Sequence, residues 1–261
     1  MFKAIKRIPP IVVLISIIGC GGGNQTSSNT SSTSSQSNST PGQAQGVYSG
    51  TDSQSRSFES IILPNDTYWA IFGTVSGNVF TVSGMLTGQG TSNNGKYTAK
   101  VTDFHYTGTS DNGSVSASYV TGSSISGTLS ESGSTSVTFN GTFMPTSSFN
   151  YNSPANLANI SGAWSGTLLN GTSAAISVNG TGAFSGSDST GCSFSGTLSP
   201  DASGKNFFNV SLTYGASPCS LANQTSSGIA VDYLLSDGVT NQLVAGVASG
   251  TSSGTVFIAN R

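Results

Sequence analysis

Apolar and small polar residues alternate through most of the chain beyond position 45, as in Val79-Phe80-Thr81-Val82-Ser83 and Val137-Thr138-Phe139-Asn140-Gly141-Thr142-Phe143. A period of two predicts strands with one buried face. Turn-forming pairs arrive at hairpin intervals, among them Asn93-Asn94-Gly95, Asp111-Asn112-Gly113 and Asn170-Gly171, which is the punctuation of an antiparallel meander. Ile61-Ile62-Leu63 and Tyr68-Trp69-Ala70-Ile71-Phe72 flank Pro64-Asn65-Asp66 and predict a hairpin whose second strand is aromatic and buried. Helical periodicity is confined to Pro154-Ala155-Asn156-Leu157-Ala158-Asn159-Ile160, where proline can open a short helix. The fold class expected is therefore all-β.

The chain starts twice. Gly46-Val47-Tyr48-Ser49-Gly50 is matched by Gly162-Ala163-Trp164-Ser165-Gly166, and Ser126-Gly127-Thr128-Leu129 is echoed by Ser195-Gly196-Thr197-Leu198. The organisation expected is a first β unit over 46–153 and a second over 154–261, each a small sandwich or barrel. The openings also carry a resemblance. Gly162-Ala163-Trp164, with Gly182-Ala183-Phe184-Ser185-Gly186 after it, is similar to the start of calycin-type barrels, the avidin and lipocalin group, where a G-x-W strand lays Trp across the barrel end. That resemblance implies a barrel. It does not imply biotin binding: Gly166 stands where avidin-like proteins carry a biotin-contacting Asn, and no Trp follows Trp164 to line such a pocket.

Before the body the pattern changes. Lys3, Lys6 and Arg7 precede the apolar run Ile11-Val12-Val13-Leu14-Ile15-Ser16-Ile17-Ile18, too short to span a bilayer and suited to a signal peptide over 1–19. Ile17-Ile18-Gly19-Cys20 resembles the lipobox of bacterial lipoproteins, which implies diacylation of the Cys20 thiol, cleavage before it and anchoring to the membrane by lipid. Gly21 in place of the Asp that retains lipoproteins in the inner membrane implies the outer membrane in a diderm cell. From Asn24 to Thr40 every residue is Ser, Thr, Asn or Gln. Residues 20–45 are thus expected to be a disordered tether.

Charge narrows the function. Eight Lys and Arg less those three leave five in the mature chain against ten Asp and Glu, so no basic footprint exists for nucleic acid. Cys192 and Cys219 are the other cysteines, and in an exported protein such a pair reads as one disulfide; metal ligation lacks a neighbouring His or a third Cys.

No catalytic or cofactor-binding residue stands out. His105, the single histidine, shares a strand face with Asp103 while Phe104 and Tyr106 point the other way, and that face is expected to be solvated. Gly250-Thr251-Ser252-Ser253-Gly254 fits G-x-S-x-G but lacks the helix a nucleophile elbow needs. Lys96 and Lys100 alternate with Tyr97 and Ala99 and are expected to face outward. Tyr68, Trp69, Phe72, Phe80, Phe207, Phe208 and Tyr214 are expected in the core, with a barrel mouth as the alternative place for some of them. The function expected is a non-enzymatic envelope lipoprotein that binds a protein or small ligand. A passive surface lipoprotein without a pocket and a hydrolase using two carboxylates are the alternatives.

Overall fold

The computed structural model describes residues 43–76, 79–235 and 237–261. The signal peptide, Cys20 and the tether up to residue 42 lie outside the described residues.

Among the described residues sixteen strands form two closed antiparallel barrels in which every strand pairs with its neighbours in sequence and the last returns to the first. In the first barrel these are β1 (Gly46–Asp52), β2 (Ser57–Ile62), β3 (Thr67–Ser76), β4 (Val79–Asn93), β5 (Lys96–His105), β6 (Ser110–Val120), β7 (Ser124–Glu131) and β8 (Val137–Phe143). A four-residue helix, α1 (Leu157–Ile160), precedes the second barrel, its N-cap Asn156 accepting from the Ala158 N–H. That barrel comprises β9 (Gly162–Leu168), β10 (Ser173–Val178), β11 (Ala183–Asp188), β12 (Ser193–Pro200), β13 (Phe208–Tyr214), β14 (Thr225–Leu234), β15 (Asn241–Ser249) and β16 (Ser253–Asn260). Closure leaves no sheet edge.

The two openings occupy the same place in each barrel. Tyr48 and Trp164 both turn inward at the end where their first strand begins, and each donates to the carbonyl four residues earlier. Tyr48 Oη reaches Ala44 O at 2.8 Å and Trp164 Nε1 reaches Ile160 O at 2.7 Å. Two residues on, Gly50 and Gly166 lie where the first strand closes on the last, and a Cβ on either would sit 1.9 Å from the carbonyl oxygen of Asn140 or Ile258. Only glycine lets the barrel shut there. The other echo is different: Ser126–Leu129 lies in the seventh strand of its barrel and Ser195–Leu198 in the fourth of the other. It is compositional, produced by the same need for glycine on a crowded inner face.

Asn94-Gly95 and Asn170-Gly171 form the expected turns, and β2 and β3 form the expected hairpin. Asp111-Asn112-Gly113 does not turn; it runs inside β6, and the reversal falls at Gly108.

Both barrels lie in one compact unit. Each has its own interior of alternating residues, and a third apolar cluster joins their outer faces. Val47, Ile61, Ile71, Met85 and Phe104 from the first barrel meet Ile229, Tyr233, Val244, Val256 and Ile258 from the second, with Met144, Phe149 and Tyr151 of the connecting segment between them. One polar chain crosses this cluster. The Tyr233 hydroxyl lies against Glu59 Oε2 and 2.5 Å from Gln242 Oε1, and Gln242 Nε2 donates to Asn260 Oδ1 at 2.8 Å. The hydroxyl has one proton for two acceptors, so a proton on Glu59 completes the set. Burial raises the Glu59 carboxyl above its usual range, which favours that proton.

Candidate functional site

Each barrel has a plugged end and an open end, because the first strand of each enters beneath its aromatic residue. At the plugged end of the second barrel the Arg261 guanidinium stacks 4.1 Å from the centre of the Trp164 ring. It donates to Ser161 O at 2.7 Å and to Asn159 O, clamping α1 and the chain terminus over the ring. Asp232 points into the same end. Burial raises its carboxyl, with Asn159 and Arg261 opposing that effect.

The mouths are at the opposite ends, and they differ. In the second barrel a cavity of about 80 Å³ opens beneath the mouth, lined by aliphatic and aromatic side chains including Leu198, Val210, Leu212, Leu243, Val247 and Phe257. Phe194, Tyr214, Asp188 and Cys192 surround its outer part. The disulfide joins Cys192, in the turn after β11, to Cys219, in the loop between β13 and β14, so two mouth loops are tied together. Asp188 Oδ1 organises the first of these, accepting from Thr190 N, Thr190 Oγ1 and Cys192 N at 2.9, 2.6 and 3.1 Å.

The first barrel is filled. Phe58, Tyr68, Phe72 and Phe139 occupy its interior, leaving a hollow of only about 30 Å³. Its mouth is ionic. Arg56 Nε donates to Asp52 Oδ2 at 2.7 Å while its guanidinium lies 4.1 Å from the centre of the Phe72 ring. His105 Nε2 is 3.0 Å from Asp111 Oδ2, so the histidine pairs with Asp111 rather than with Asp103.

Asp103 corrects the expectation of a solvated face. It is 3% exposed and lies inside the barrel, because it shares the phase of Tyr97, Ala99 and Val101 along β5. Its carboxyl is pushed up to about 8, first by burial, then by the hydrogen bond to Glu131 and the charge on it. Among the described residues no other donor reaches Asp103 Oδ1 or Glu131 Oε1, so the hydrogen bond between the two carboxyl groups needs a proton on one of them. Such a pair can store a proton or serve as acid and base. Burial of Asp103 walls it from solvent and favours storage.

The remaining candidates lie in a turn, on an outer strand face, in apolar packing and at the second mouth. Gly250–Gly254 spans the β15–β16 hairpin, with no helix after it. Lys96 and Lys100 face outward. Tyr68, Phe72 and Phe208 are barrel core, Phe207 and the half-buried Trp69 and Phe80 pack between the barrels, and Tyr214 stands at the second mouth. Among the described residues no group of three or more His, Cys, Asp or Glu is placed to hold a metal ion, and no helix is long and apolar enough to cross a membrane.

The chain matches no protein-family model and no curated protein. Among solved structures it aligns with the isotype 1 transferrin binding protein B from serogroup B Neisseria meningitidis, at 9% identity and a TM-score of 0.25, over 80% of this chain and 64% of that one. It also aligns with a protein of unknown function of the DUF3598 family from Nostoc punctiforme PCC 73102, at 10% identity and a TM-score of 0.27, over 85% and 96%. The chain thus spans less than two thirds of the first of these proteins. At such similarity neither bears on what this chain binds.

Proposed function

We propose that the protein is a lipid-anchored, non-enzymatic component of the bacterial envelope, in the outer membrane where there is one, and that its second barrel binds a small apolar ligand. The observation that carries the binding role is the contrast between the interiors. Two barrels of the same build differ in fill: aromatic rings close the first, while the second keeps an apolar cavity of about 80 Å³ beneath an open mouth. A passive scaffold has no use for that hollow, since unfilled apolar volume costs stability. For scale, an engineered apolar cavity of about 150 Å³ stays dry and takes benzene. The smaller hollow here suits a narrow alkyl group. The Trp164–Arg261 plug and the meander topology support a calycin-type reading of this barrel.

Hexanol should raise the thermal midpoint of the body in a saturable way, as any ligand selective for the folded state does. Val210→Phe, which fills the cavity from β13, should abolish the shift while leaving the unliganded midpoint unchanged or higher. No saturable shift, or the same shift in the filled variant, would refute the pocket.

The anchor rests on Ile17-Ile18-Gly19-Cys20, and two or three acyl chains suffice for stable attachment. Cys20→Ser should eliminate palmitate labelling and detergent-phase partitioning, because the thiol is the acceptor. Undiminished labelling of the variant would rule out this anchor.

A further inference from the structure

We infer that the second barrel selects ligands with a neutral or cationic head group and rejects anionic ones such as fatty acids, with Asp188 as the residue that discriminates. The inference rests on the pocket proposed above and adds its head-group chemistry.

Asp188 ends β11 in phase with Phe184, which faces the interior, so its carboxylate lies at the rim where a ligand bound by its alkyl chain would leave its polar end. Among the residues that line the cavity it is the only charged one; the others with polar atoms are Tyr214, Thr255 and the disulfide-bonded Cys192. Oδ1 is saturated by its three donors in the turn, whereas Oδ2 takes none among the described residues.

Among the described residues no cation pairs with this carboxylate. The two basic residues of the second half, Lys205 and Arg261, are both held at the far end. Lys205 Nζ donates to Asn152 Oδ1 at 2.8 Å and sits over the Tyr151 ring, and Arg261 is stacked on Trp164. A carboxylate ligand would therefore place its charge beside Asp188 with nothing to neutralise it. An ammonium would find an acceptor with a free oxygen, and a hydroxyl would find a hydrogen-bond acceptor without repulsion. Like-charge juxtaposition of this kind is how a site rejects a ligand whose apolar part fits.

The test is isothermal titration of the full body with hexylamine, hexanol and hexanoate near neutral pH, where the first is a cation and the last an anion. Hexylamine should bind at least about tenfold more tightly than hexanoate, with hexanol between them. Asp188→Asn keeps the Oδ1 acceptor that the turn uses and should bring the three affinities to within about threefold. Thr255→Lys, adding a cation to the same cavity wall, should move the preference toward hexanoate even if the Asn variant folds poorly. Equal binding of hexanoate and hexylamine by the native protein, or an unchanged order in both variants, would overturn the role of Asp188 while leaving the pocket standing. Failure of all three ligands to bind would instead remove the pocket itself.

Discussion

The two-barrel body should be more stable at about pH 5 than at about pH 8, by on the order of 3 kcal/mol, the reverse of the usual loss of stability in acid. Three buried carboxyls set this direction. Asp103 is raised from 3.8 to about 8 by burial and by Glu131, and burial also raises Glu59 and Asp232. Between the unfolded and folded values of such a group, the folded protein holds a proton that the unfolded chain has released. Its contribution is complete below about 3.8 and is lost as the pH climbs to about 8 for Asp103, at up to about 1.4 kcal/mol per pH unit for each proton. Two other carboxyls are shifted down. At Asp201 burial is the largest single effect and pushes the carboxyl up, but the donors from Ser203 and Asn209 together outweigh it, and Asp237 is held low by the Thr240 hydroxyl and N–H. Both titrate below that window and leave its slope intact. Asp103→Asn should flatten the curve, since its amide can donate to Glu131 at any pH. The variant should gain about 2 kcal/mol or more at pH 8 and little near pH 4. Urea unfolding across the pH series decides it: a midpoint that rises with pH, or a slope unchanged in the variant, contradicts the assignment.

The residues behind this behaviour were only partly legible in the sequence. Alternation placed Lys96, Tyr97, Ala99 and Lys100 on their correct faces, and the same phase carried two steps further puts Asp103 inside with Val101. It was the pairing with His105 that suggested a solvated face. Glu131 could not have been joined to Asp103 from sequence, because only the strand register on the two sides of β6 brings β5 and β7 level at the same mouth. The openings at Gly46 and Gly162 were readable since a strand that must both plug and close a barrel has few allowed residues. The surface between the barrels left a different trace. Ile61-Ile62-Leu63, Ala70-Ile71-Phe72 and Val256-Phe257-Ile258-Ala259 break the alternation with continuous apolar runs, the mark of strands buried on both faces. The cavity left no trace at all, because an interior residue that touches its neighbour and one that stops short of it have the same pattern.

That shared surface leads to the expectation that the intact body unfolds in one transition although each barrel closes its own hydrogen-bond ladder. The chain has two tryptophans, one in each barrel: Trp69 beside the interface and Trp164 in the second plug. Single Trp→Phe variants therefore let each barrel be followed separately by fluorescence, and in the parent background the two denaturation curves should coincide. Ile229→Asp places an unpaired charge among Ile61, Ile71, Met85 and Val244, where burial without a partner costs several kcal/mol. Separation of the barrels is the cheaper response, so the Trp69 signal should change at lower denaturant than the Trp164 signal. A fragment beginning at Ala155 should still unfold cooperatively through its own barrel, though at lower denaturant than in the whole protein, because Tyr233, Val244, Val256 and Ile258 lose their cover. Reduction of Cys192–Cys219, which closes a separation of 27 residues, should lower the Trp164 midpoint in fragment and variant alike by about 3 to 4 kcal/mol of stability. In the Ile229→Asp protein the Trp69 midpoint should ignore reductant, since the described part of the first barrel contains no cysteine. Coincident curves in that variant would mean that the barrels are coupled through the connecting segment instead. Separate curves in the parent would mean that the apolar cluster between them contributes too little to join them.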